Sequence, residues 1–139
     1  MAHERILIVE DENITAMDIG TTLQQFGYEP LGPVASGEDA VTSAVTLRPD
    51  IILMDILLKE PMDGIQAAQA IRSHYRCPVI YVTGQSGQPI VEQAGIPKAS
   101  GYIMKPIIEE ELHTAIEGAL RQPGVGEFSS GWPPMVRSS

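Results

Sequence analysis

The sequence predicts an α/β protein built on an open parallel sheet, and three observations predict it. Short apolar runs recur along the chain, amphipathic segments alternate with them, and four of the runs stop at a reactive polar side chain. Ile6-Leu7-Ile8-Val9 runs into Glu10-Asp11, and Ile51-Ile52-Leu53-Met54 into Asp55. Val79-Ile80-Tyr81-Val82 runs into Thr83, and Tyr102-Ile103-Met104 into Lys105. Runs of this kind read as buried parallel strands. Ligand sites in such sheets gather at the carboxyl ends of the strands. Three carboxylates, a hydroxyl and an ammonium would then meet in one crevice.

The elements follow in chain order. The first run gives β1 at 5–9. α1 at 13–26 carries Ala16, Ile19, Leu23 and Phe26 on one face, and Gly27 follows it. β2 at 29–34 contains Pro30, Gly32 and Pro33, which suit only an edge strand. α2 at 37–47 aligns Ala40, Ala44 and Leu47, and Pro49-Asp50 leads into β3 at 51–55. Asp63-Gly64 opens α3 at 64–74, with Asp63 as N-cap. β4 occupies 79–83, after which Gly84, Gly87 and Pro89 break the chain. α4 at 88–94 is short, and its Gly87, Pro89, Gly95 and Pro97 mark it as a mobile element. β5 at 101–104 and α5 at 108–121, with Leu112, Ala115, Ile116 and Ala119 on one face, complete a domain over 1–121. The pattern dissolves from Gln122, so 122–139 reads as a flexible tail or truncated linker.

Composition narrows the function. A length of 139 residues suits one domain. Nine basic against eighteen acidic residues give a net charge of −9, which argues against direct nucleic-acid binding. No run approaches the roughly 20 apolar residues that cross a bilayer, so no membrane partner is expected. Cys77 stands alone, which excludes an internal disulfide and makes the cytoplasm the expected compartment.

The polar strand ends suit phosphoryl chemistry. Neighbouring parallel strands lie about 4.8 Å apart. With β1 beside β3, Asp11 and Asp55 face each other across that gap. Carboxylates so close repel unless a cation joins them or one is protonated. Magnesium takes hard oxygen ligands, accepts one or two protein carboxylates and shares phosphate oxygens. Asp55 can then act as a nucleophile toward phosphorus. Lys105 and Thr83 can serve two of the equatorial oxygens, over which the transferring group spreads its charge. Each residue alone has a plainer reading. Glu10-Asp11-Glu12 could decorate the positive end of α1, Thr83 could be a strand former, and Lys105 a surface lysine whose removal leaves the fold intact. Pro106 holds Lys105 extended. His3, His74 and His113 look isolated, and Met17, Met54 and Met104 look like core filler. The joint pattern, one residue per strand end, favours the chemical reading.

These residues carry a resemblance. Ile6 to Glu12, Leu53-Met54-Asp55-Ile56, Met62-Asp63-Gly64, Tyr81-Val82-Thr83-Gly84 and Gly101 to Pro106 together resemble a response-regulator receiver domain of two-component signalling, of the chemotaxis-receiver type, over about residues 4–121. The resemblance implies a flavodoxin-like (βα)5 sandwich with strand order 2-1-3-4-5. It implies that Asp55 accepts phosphate, that Glu10, Asp11, Asp55 and the backbone carbonyl of Leu57 hold Mg2+, and that Lys105 and Thr83 bind the phosphoryl group. It implies that Thr83 and Tyr102 form a switch: phosphate draws Thr83 inward and the vacated space admits the aromatic ring. A histidine kinase or histidine phosphotransfer protein is the implied donor. Output runs through a downstream protein partner or a missing output domain, and the α4-β5-α5 face is a candidate homodimer surface. The Asp55-to-Gly64 stretch is one residue longer than the commonest form, and Leu57 and Gln85 are not charged.

The sequence thus reads as a phosphoacceptor module that catalyses its own phosphorylation and is not a dedicated turnover enzyme. The alternative is a phosphorylation-independent binding module of the same fold. A hydrolase would want a second carboxylate where Leu57 stands. A nucleotide carrier would want a glycine- or hydroxyl-rich loop where Glu10-Asp11-Glu12-Asn13 stands.

Overall fold

The computed structural model describes residues 3–58, 62–96 and 101–121. Five parallel strands lie in the order β2-β1-β3-β4-β5. They are β1 Arg5–Val9, β2 Glu29–Val34, β3 Ile51–Asp55, β4 Val79–Thr83 and β5 Tyr102–Met104. The helices are α1 Asn13–Gln25, α2 Gly37–Leu47, α3 Gly64–Arg72, α4 Gln88–Gln93 and α5 Glu109–Arg121, with a 3-10 turn, η1, at Gln85–Gly87 before α4. The expected fold and strand order are therefore observed. The expected tail at 122–139 lies outside the described residues, as does the extra residue of the β3-α3 loop.

Alternation along the strands builds two cores. Leu7, Val9, Ile52, Met54, Val79 and Tyr81 face α2, α3 and α4. Ile6, Ile8, Ile51, Leu53, Ile80 and Val82 face α1 and α5. The central strands β3 and β4 are buried throughout. Burying each such side chain stabilises the fold by roughly 1.5–3 kcal/mol relative to exposure. Among the described strands only β2, at the sheet edge, holds prolines; its register slips between Leu7 and Val9 of β1.

Ends are set by capping. Asp63 and Gln66 form a reciprocal capping box that starts α3. Ser36 accepts from the Asp39 N–H to start α2. Gly27 follows α1 with φ 89°, a left-handed conformation that suits glycine. α3 stops at Arg72, two residues short of expectation, where the Ser73 hydroxyl donates to the Ala70 carbonyl at 2.6 Å.

Several surface assignments need correction. Met17 is 70% exposed and is not core filler, whereas Met54 is fully buried. Leu47, placed on the inner face of α2, is 38% exposed because α2 ends there and Arg48 turns left-handed. His113 is not isolated: it stacks on Phe26 with centroids 4.2 Å apart and lies 3.7 Å from Glu117. Glu117 also accepts the Tyr28 hydroxyl, so α5 is fastened to the loop between α1 and β2.

Candidate functional site

Register brings the polar strand ends to one edge. Val9 pairs with Met54, Asp55 with Val82, and Thr83 with Met104. The residues just beyond β1 and β5, and those ending β3 and β4, therefore share the carboxyl-terminal rim. Backbone hydrogen bonds extend the order past the strands. The Glu10 N–H donates to the Val34 carbonyl at 2.9 Å, and the Lys105 N–H to the Thr83 carbonyl at 2.8 Å. The Ile56 N–H donates to the Val82 carbonyl at 3.1 Å. Gly64 packs against this rim. A Cβ there would fall 2.2 Å from the Asp55 carbonyl oxygen, so only glycine permits the approach of α3.

Glu10, Asp11 and Asp55 each present a carboxylate oxygen, and these atoms lie within 4.8 Å of one another. Glu10 and Asp55 are buried. The Lys105 ammonium sits 3.1 Å from Glu10 Oε1 and 3.8 Å from Asp55 Oδ2. Glu10 Oε2 accepts the Glu12 N–H at 3.1 Å, and Asp55 Oδ1 accepts the Leu57 N–H at 3.2 Å. The sequence could not show that Lys105 approaches Glu10 more closely than Asp55.

The charges do not balance, and Asp55 registers it. Burial pushes its carboxyl up to about 7, and the Glu10 charge adds to this against the opposing Lys105 ammonium and Leu57 N–H. Burial works against the charge on Lys105. Its close contact with Glu10 and the negative charges of Asp55 and Glu10 outweigh that and hold it above the usual lysine range.

The donor set fits a small hard cation. All three side chains offer oxygen, and one ammonium opposes three carboxylates. Glu10 Oε1 is buried and accepts no well-directed hydrogen bond; its contact with Lys105 is an ion pair only. Such an acceptor suits a metal or its bound water.

The remaining candidates are placed less simply. Leu57 lies two residues past Asp55, beyond the buried Ile56, and is 45% exposed. Thr83 is buried, but its hydroxyl donates to the Gly84 carbonyl at 3.1 Å rather than to Asp55. Tyr102 is already buried, among residues that include Val91 and Ile96. Its inward ring thus coexists with a Thr83 hydroxyl turned toward Gly84. The Lys105–Pro106 bond is cis. One neighbour escaped the sequence reading: Gly87 lies directly against the Thr83 hydroxyl.

Comparison with known proteins agrees with this geometry. The transcriptional regulatory protein PdtaR of Mycobacterium tuberculosis is 37% identical over 116 residues, which is 84% of this chain and 56% of that protein. The regulatory protein AtoC of Escherichia coli is 35% identical over 121 residues, covering 86% of this chain and 26% of that protein. The chain thus spans about half or less of these relatives. Among solved structures, the receiver domain of the sensor histidine kinase PA1611 from Pseudomonas aeruginosa, with magnesium coordinated in its active-site cleft, superposes with a TM-score of 0.75 at 34% identity. That match covers 87% of this chain and all of the other. No helix among the described residues is long and apolar enough to cross a membrane. Residues 6–117 match the family described as the response regulator receiver domain, and with strand ends that converge as they do here, the chain belongs to that family of two-component signalling modules.

Proposed function

We propose that this chain accepts a phosphoryl group on Asp55 from a phosphohistidine donor, with Mg2+ held by Glu10, Asp11, Asp55 and the backbone carbonyl of Leu57. The observation that carries this reading is the convergence of three carboxylate oxygens within 4.8 Å beside a lysine ammonium. The solved relative with magnesium in its cleft supports the choice of metal. When bound, magnesium supplies positive charge that offsets the carboxylates and the transferring group.

The chain's own residues divide the work. An Asp55 oxygen attacks phosphorus; the P–O bond forms as the P–N bond to the donor imidazole breaks, and the imidazole leaves with the electron pair. Lys105, already 3.8 Å from Asp55, stabilises charge developing on one equatorial oxygen. Thr83 offers its hydroxyl to another by turning away from Gly84. The aspartyl phosphate then biases a partner surface through this unequal contact with the two states, and Tyr102 is part of the switch. Exposed Ile14 and Met17 on α1 and exposed Ile108 at the start of α5 give a protein donor apolar surface for docking. An output partner or further domain receives the signal.

Incubation with acetyl phosphate and Mg2+ tests the reading. A mass gain of one phosphoryl group is expected in the full chain and none in Asp55→Asn. An unmodified wild-type chain, or equal modification of the variant, overturns the proposal and favours a phosphorylation-independent module.

A further inference from the structure

The clearance beside the Thr83 hydroxyl is unusually small. A Cβ at Gly87 would lie 2.0 Å from Thr83 Oγ1, far inside contact distance. Its next neighbours, Ile56 Cγ2 and Thr83 Cβ, would be 3.3 Å away, a separation that slight shifts relieve. Backbone geometry does not require glycine here. Gly87 has φ −91° and ψ −9°, which alanine adopts freely. The missing side chain therefore serves one atom, the hydroxyl oxygen of the residue that would coordinate phosphate.

That oxygen has two demands on it. In this structure it donates to the Gly84 carbonyl at 3.1 Å, and the Gly87 N–H donates to the same carbonyl at 3.2 Å. The hydroxyl is thus enclosed by η1, which rests on it without a Cβ between. Service to a phosphoryl group on Asp55 requires another rotamer. Threonine has few staggered wells, so excluding one fills the others.

We propose that Gly87 is a positioning residue: by lacking a side chain it lets the Thr83 hydroxyl dock against η1 and thereby holds the chain in its unphosphorylated arrangement. The proposal rests on Asp55 being the phosphoryl acceptor. Departure of the hydroxyl toward phosphate removes the contact under η1 and frees η1 and α4 to resettle. The link from phosphate to α4 is then steric and passes through one hydroxyl and one missing methyl group.

Titration of the full chain with beryllofluoride, a phosphoryl mimic, in Mg2+ tests this by 19F NMR. Gly87→Ala denies Thr83 its resting rotamer and is expected to bind about tenfold tighter, because apparent affinity scales with the fraction of competent conformer. In a Thr83→Ala background the same substitution is expected to change affinity little, since the clashing oxygen is gone. If Gly87→Ala does not fold alone, Thr83→Ala is expected to restore folding. Unchanged or weaker binding by Gly87→Ala overturns the proposal, as does a gain that persists without the Thr83 hydroxyl or a folding defect that Thr83→Ala leaves in place. Absence of any binding by the wild-type chain is a different result; it removes Asp55 as acceptor.

Discussion

Asp55→Asn is expected to melt above the wild-type chain at pH 7.5 without metal, although it abolishes phosphoryl acceptance. The reason is the cost of an ionised Asp55 in this site. Its carboxyl is raised from 3.8 to about 7, by burial first and by the Glu10 charge second. Below the lower value both folded and unfolded chains hold the proton, and stability is unaffected. Between the two values the folded chain keeps a proton that the unfolded chain has lost, so stability falls as pH rises. Above about 7 the loss is complete. At about 1.4 kcal/mol per unit, the penalty reaches at most about 4 kcal/mol. Asparagine removes the charge and keeps the shape. Thermal melts from pH 4 to 8 in a chelator are expected to show a falling wild-type curve and a flatter variant curve. A variant that melts lower than wild type at pH 7.5 would show that Asp55 is not electrostatically strained.

Lys105→Ala is expected to have the opposite sign. Viewed in the sequence, Lys105 is a strand-end lysine whose loss leaves the fold intact. The structure gives it a neutralising role, because its ammonium is the cation closest to a buried Glu10. Truncation leaves Glu10 Oε1 without a counter-charge and raises Asp55 further. Breaking a buried pair can cost 3–5 kcal/mol; with Lys105 one quarter exposed, a loss of about 1–3 kcal/mol is expected without metal. The fold is retained at that cost. Mg2+ is expected to restore much of the stability while the rate of phosphoryl acceptance stays low, since the lysine's charge on the transferring group is not replaced. Urea unfolding with and without Mg2+ checks the first part, and the rate of mass gain with acetyl phosphate the second. Equal stability of variant and wild type in chelator would remove the neutralising role.

These two forecasts show where sequence reading reaches and where it stops. The strands were legible because a fully buried parallel strand must be apolar along its length, and a polar residue can appear only where the strand leaves the core. Asp55, Thr83 and Lys105 are marked by that rule, and Glu10 and Asp11 by lying one and two residues past β1. β2 was legible from its prolines, which a central strand could not hold. Other features depend on how closely separate elements approach, and no periodicity records that. The Glu10–Lys105 pair spans two strands that are not neighbours in the sheet. Gly87 reads as a chain breaker, yet its consequence is a clearance measured from Thr83. Met17 has the composition of a core residue and lies on the solvent face of α1. Tyr102 is buried in the same cluster as Val91 of α4 and Tyr81 of β4, a grouping that composition leaves open.

The most direct test is the structure of the full chain with Mg2+ and beryllofluoride. The expected complex has beryllium on an Asp55 oxygen and one fluorine each on Lys105 and the Thr83 hydroxyl. Magnesium is expected to contact Asp11, Asp55 and the Leu57 carbonyl directly, with Glu10 reached through water. Beryllofluoride bound at another residue, or magnesium located away from the three carboxylates, would break the account at its foundation.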